Sequence, residues 1–143
     1  MYAVVESVVR AVCLGADPDK LRLTLQEYFP KLNNTEVWGQ PFSALLGAFT
    51  ALDALDLPAI GGKDSMSGTF MDKTVPPTLV SFAVDVIDGE KAVSAEFKAA
   101  GHKWYSCPVR AIMLKFWILQ CCVKICVLYI KRFWQVRCLP LLL

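Results

Sequence analysis

Acidic residues are missing from the segment Lys103–Leu143: all thirteen Asp and Glu of the 143-residue chain lie between Glu6 and Glu96. Histidine is nearly absent too. His102 is the only one, and we assign it no catalytic role. Residues 1–102 hold a single cysteine, Cys13, which argues against a disulfide framework and for a reducing compartment. The later cysteines, among them Cys121, Cys122 and Cys126, form no Cys-x-x-Cys pair and have no histidine nearby, so a zinc site is not indicated. The first residues lack a basic start followed by an apolar block, since Glu6 and Arg10 interrupt them, so no secretory signal is expected. Asn33-Asn34-Thr35 fits a glycosylation acceptor only in a secreted chain, and we set it aside.

What is present divides at about His102–Lys103. Residues 1–102 carry eight Lys and Arg against thirteen acids, a formal −5, whereas Lys103–Leu143 carries four Lys and three Arg, a formal +7. The first piece has the composition of an α/β domain. The second is basic, apolar and rich in Cys and Trp. A membrane helix over Ala111–Ile130 would have to bury Lys115 and Lys124, each at about 2.5–3.5 kcal/mol near the bilayer centre. Its uncharged stretch Phe116–Val123 is far short of the ~20 residues a span requires. The basic residues form no helical stripe, so no nucleic-acid partner is expected. We read residues 103–143 as translation outside the native frame. The alternative is an anchor for a small membrane-associated or partner-binding protein built on an α/β half-domain.

Hydrophobic periodicity predicts a helix over Tyr2–Leu14, with Val4, Val5, Val8, Val9 and Val12 on its buried face and Gly15 ending it. Leu21, Leu23 and Leu25 alternate with polar residues and predict a short strand that ends near Gln26-Glu27. Pro41 fits the first position of a second helix reaching about Leu55, with Leu45, Phe49 and Leu52 on its most apolar side. Its small residues, Ser43, Ala44, Gly47, Ala48 and Ala51, allow close approach to a sheet. A strand Leu57–Ile60, a loop Gly61–Thr69 and a strand Thr78–Val84, apolar on both faces and therefore central, complete an α-β-α-β-loop-β order. Asp88-Gly89 supplies a turn.

Gly61-Gly62-Lys63-Asp64-Ser65-Met66-Ser67-Gly68 carries the chemistry. Two glycines let backbone N–H groups approach an anion. Lys63 offers a point charge, Asp64 a hard oxygen ligand suited to Mg²⁺, and Ser65 and Ser67 hydroxyl groups. Phosphoryl chemistry uses this mixture, although the Walker spacing is missing. A plain polar loop with Lys63 paired to Asp64 accounts for the same residues.

Three longer strings, Pro41–Gly47, Leu57–Phe70 and Val75–Val84, together with Leu23–Phe29, resemble phosphoribosylformylglycinamidine synthase in its large single-chain form, over roughly residues 2–102. The resemblance implies ATP-dependent conversion of formylglycinamide ribonucleotide to its amidine, with ammonia released from glutamine, in cytoplasmic purine biosynthesis. It also implies a partial α/β domain like that of aminoimidazole ribonucleotide synthetase, with ATP and Mg²⁺ as cofactors. The remaining domains of the same enzyme would then be its partners, with neither nucleic acid nor membrane among them.

On this likeness Gly61, Gly62, Lys63, Ser65, Ser67 and Gln26 are candidates for nucleotide or substrate binding, and Asp64 and Glu27 for metal. Lys63 stands where shorter relatives carry an asparagine metal ligand, so it would contact phosphate instead. Thr78 and Ser81 read as structural. No residue is assigned to catalysis: the glutaminase domain and the family's other metal segment have no counterpart in this sequence. The chain alone is expected to be inactive.

Overall fold

The computed structural model describes residues 1–96 and 99–101. The expectations for His102 and for residues 103–143 lie outside them. Among the described residues two helices pack on one face of a three-stranded mixed sheet, an α/β arrangement. Helix α1 spans Tyr2–Cys13, strand β1 Arg22–Tyr28, helix α2 Thr35–Leu55 and strand β2 Ala59–Ser65. A hairpin of β3 (Thr69–Phe70) and β4 (Lys73–Thr74), strand β5 (Thr78–Val84) and a 3₁₀ turn at Gly89–Lys91 follow.

Helix α1 forms where the valine spacing predicts. Val4, Val8 and Val12, one turn apart, are buried against Leu21 and Leu23 of the sheet layer and Ala48 and Ala51 of α2, whereas Val5 and Val9 sit at the margin of that face and are only half-buried. The helix ends in a paired reversal. Gly15, at φ 112°, donates to the Val12 carbonyl at 3.0 Å, and Ala16 donates to Ala11 at 3.1 Å. That pattern satisfies two carbonyls left open by the last turn and requires a left-handed residue, which glycine adopts without a Cβ clash.

Helix α2 starts earlier than Pro41. The Asn34 side chain accepts a hydrogen bond from the Val37 backbone N–H at 2.8 Å, and Glu36 lies in the positive first turn. An asparagine cap thus converts the expected polar connection into helix, and Pro41 is carried inside it. Being early in the helix, its missing N–H costs one internal bond without stopping propagation. The small residues Ala48 and Ala51 face the core, as their size suggests, with Leu52 packed against it. Leu45 and Phe49, also on the most apolar side, stay exposed instead. Small side chains set the contact because they permit the closest backbone approach.

Strand order is β2-β1-β5, with β1 parallel to β2 and antiparallel to β5. The expectation that Thr78–Val84 is central is therefore corrected: β1 is central, and β5 lies at one edge of the three strands. One face of β5 packs on α1, where the Ser7 and Ser81 hydroxyls lie 2.8 Å apart. The other carries Phe82 and Val84, both exposed, which explains why its sequence is apolar on both sides.

The expected loop Gly61–Thr69 is also corrected. Residues through Ser65 belong to β2, and the following turn is tied down rather than free. Phe29 N–H donates to Ser65 O at 2.8 Å, Gly68 N–H to Phe29 O at 3.0 Å, and Val75 N–H to Gly68 O at 2.8 Å. These bonds wrap the chain around Phe29, which is 1% exposed.

Helix α2 closes with the same reversal as α1, but on Asp56 at φ 53°, with Leu57 N–H donating to Leu52 O at 3.1 Å. No basic residue occupies that last turn, so a carboxylate sits at the negative end of the helix. Asp56→Asn keeps the tolerance for a left-handed backbone and removes the charge. It should stabilise the chain by about 0.5 kcal/mol, read as a higher urea midpoint at unchanged slope.

Candidate functional site

The site is built where β1 and β2 run side by side toward their C-terminal ends, the edge at which parallel α/β sheets hold ligands. The register aligns Gln26 with Lys63, Glu27 with Asp64 and Tyr28 with Ser65. Candidate residues from two distant stretches of sequence thus become neighbours. Ser67 lies beyond the strand end, exposed, its carbonyl accepting from Thr69 N–H at 2.8 Å.

A bulge sets this alignment. Leu23 pairs with Ala59 but Thr24 pairs with Gly61, so Ile60 is an extra residue in β2. Gly61 adopts φ 142°, a backbone state open to glycine at little cost. Gly62 then crosses so close to β1 that a Cβ there would strike the Leu25 carbonyl oxygen. The glycine pair serves strand pairing directly, a structural role beside the ligand-cradling one.

Successive strand residues point to opposite faces, and this sorts the charges. Gln26, Tyr28 and Lys63 share the open face. The Gln26 amide Nε2 donates to the Tyr28 hydroxyl at 2.5 Å, and the Lys63 ammonium lies 5.8 Å from the Tyr28 ring centroid. Glu27 and Asp64 lie together on the other side. Lys63 and Asp64 form no ion pair, so the plain loop reading in which they neutralise each other does not hold. Tyr28 was not singled out from sequence. Its signal is the two-residue spacing from Gln26, which puts both on one face of a strand.

Partial burial, and then the charge of Asp64, push the Glu27 carboxyl above its ordinary range. Two adjacent carboxylates with this mutual cost suit a hard divalent cation. Among the described residues no group of three or more His, Cys, Asp or Glu is gathered, so such an ion would keep much of its water or take ligand oxygens.

On the open face an open groove of about 410 Å³ lies between Thr24, Gln26, Lys63, Ile60 and Phe82. Ile60 and Phe82 give it an apolar wall and Lys63 a cation. A larger groove, about 490 Å³, lies between α1 and β5. Its polar groups are already engaged: Ser7 with Ser81, Arg10 with Glu6 at 2.6 Å, and Asp85 with the Asp17 and Val86 N–H groups. The smaller groove is the better candidate because its ammonium has no carboxylate partner among the described residues.

No protein family, curated protein or solved structure matches this chain. Among the described residues, no helix is long and apolar enough to cross a membrane.

Gly62→Ala should cost about 2 kcal/mol or more, since the strand must move off Leu25. Faster amide exchange in β2 than in α1 would locate the damage. Glu27→Gln tests the carboxylate pair through pH. With its folded pKa raised, ionised Glu27 carries a penalty that is absent below the ordinary glutamate range. That penalty grows as pH rises through the range and is complete above the raised value. The variant should therefore be more stable than the parent at pH 7, with the gap closing on acidification. Denaturation midpoints across that range read the effect.

Proposed function

We propose that residues 1–102 form the nucleotide- and phosphate-binding strand pair of a ligase of the phosphoribosylformylglycinamidine synthase type, a partial domain of the aminoimidazole-ribonucleotide-synthetase kind. The observation that carries the reading is the β1–β2 register, which sets Gln26 beside Lys63 and Glu27 beside Asp64 at the C-terminal end of two parallel strands. The groove adds what a nucleotide would use: Phe82 and Ile60 as an apolar wall for a base, and Lys63 for a phosphate. Ser65 stands opposite Tyr28 at the strand end, within the same constellation.

Glu27 and Asp64 would hold Mg²⁺, whose chemistry is to neutralise phosphate charge during transfer. The Lys63 ammonium and the two carboxylates occupy different faces of the strand pair. ATP and Mg²⁺ are accordingly the cofactors of this reading, formylglycinamide ribonucleotide the substrate and the cytoplasm its compartment.

Two apolar surfaces, exposed among the described residues, support the reading of the chain as one part of a larger enzyme. Trp38, Phe42, Leu45, Leu46 and Phe49 form a stripe along α2, and Ile60, Phe82 and Val84 lie on the open sheet face. Other domains of the enzyme would cover them. The second reading, a half-domain that binds a separate partner, uses the same surfaces but needs no nucleotide.

The test is binding of Mg²⁺·ATP to the full 143-residue chain by titration calorimetry, paired with an assay for amidine formation from formylglycinamide ribonucleotide and ammonia. We expect saturable binding that Lys63→Ala weakens at least tenfold, and no turnover. Absence of binding would favour the partner-binding reading, and turnover would overturn the assignment of the chain as an incomplete site.

A further inference from the structure

The open face of the strand pair holds a side-chain arrangement that the proposed function does not require but that decides how Lys63 would work. A lysine on an edge strand, exposed and without a carboxylate partner among the described residues, ordinarily samples many rotamers, and holding it on a ligand costs side-chain entropy. Here its ammonium sits over the Tyr28 ring, 5.8 Å from the centroid, within the range of cation–π attraction. The ring is itself held from below. Tyr28 is half-buried between neighbouring strands, and its hydroxyl oxygen accepts from the Gln26 amide at 2.5 Å. Because that oxygen is the acceptor, the phenolic proton points elsewhere, and among the described residues it has no acceptor.

Three groups therefore meet on one face: an oriented ammonium, a phenol with a proton to give, and the amide that fixes the phenol. The carboxylates Glu27 and Asp64, on the opposite face, neither neutralise the ammonium nor compete for the proton. We propose that Tyr28 is the positioning residue of an anion subsite for a polyphosphate: its ring presents the Lys63 ammonium and its hydroxyl gives a second, directed hydrogen bond to the same anion. The inference rests on the reading of Lys63 as a phosphate contact and adds the residue through which it acts. Gln26, placed among the ligand-binding candidates by sequence, then acts by holding Tyr28.

Inorganic triphosphate is the probe, titrated calorimetrically into the full chain and its variants. Lys63→Ala should weaken binding at least tenfold. Tyr28→Phe keeps the ring and loses the proton, so a three- to fivefold loss is expected. Tyr28→Leu loses both and should approach Lys63→Ala, and the double variant should be little worse than either single one. A readout independent of binding comes from nuclear magnetic resonance of the Lys63 ε-methylene. Its protons should be shifted upfield by the ring in the parent and in Tyr28→Phe, and should return to the free-lysine position in Tyr28→Leu.

If Lys63→Ala weakens binding while Tyr28→Leu stays within twofold of the parent, the positioning role is overturned and the phosphate reading of Lys63 survives. If Lys63→Ala binds as the parent does, both are overturned. An unshifted Lys63 methylene in the parent overturns the positioning role even where Tyr28→Leu does not fold.

Discussion

The register between β1 and β2 is the constraint on which the rest depends, and a single extra residue fixes it. Without the bulge at Ile60, the pairing that starts at Leu23 and Ala59 would continue Thr24 with Ile60, and Lys63 would come to lie opposite Glu27. Because strand side chains alternate, a one-residue shift also exchanges faces. Lys63 would join Glu27, and Asp64 would move to the face of Tyr28. An ion pair between Lys63 and Glu27 across the two strands would then be in reach. With the bulge, the cation and the acids are parted by the thickness of a strand, and each set is left with unspent capacity.

The same step explains the glycines. Gly61 absorbs the irregular backbone at φ 142°, and Gly62 passes close over the Leu25 carbonyl. A chain that needs both features in succession has few alternatives to a glycine pair. Backbone geometry and ligand chemistry thus call for the same residues here, and a glycine-rich motif by itself does not tell them apart. The tethering of Ser65–Gly68 around buried Phe29 adds to this, since it fixes where β2 ends and so where Ser65 stands.

Much of the fold could be read from side-chain periodicity, and the failures share one cause. Helix α1 follows from its valines, and its end from Gly15, because both signals are local. Periodicity puts the start of α2 too late because a proline is a strong local signal, whereas the cap at Asn34 depends on one hydrogen bond to Val37. The polar run 61–65 reads as a loop because an edge strand exposed on both faces has no hydrophobic alternation to show. The candidate site was legible as a set of residue types, with Gln26 and Glu27 flagged beside the glycine motif. Their division onto opposite faces was not, since it follows from a strand and a bulge that periodicity could not reveal.

Helix α2 shows how packing shapes what is left outside. Its contact with the core is centred on Ala48 and Ala51, which are small and bring the helix close, with Leu52 and Leu55 packed at the side. An amphipathic surface helix turns polar residues outward. Here the outward side carries Trp38, Phe42, Leu45, Leu46 and Phe49 instead. That stripe looks away from the sheet, while Ile60, Phe82 and Val84 lie on the sheet face remote from the helices. The two apolar surfaces are on opposite sides of a two-layer structure, so one flat neighbour cannot cover both. Among the described residues the sheet has helices on one side only, which is half of the usual three-layer α/β arrangement. Covering the open face would also close the groove over Tyr28 and Lys63 and lower the local dielectric there. The cation–anion attraction that is modest on an exposed strand would strengthen as water left. The packing that completes the fold is therefore the same packing that would make its binding face effective.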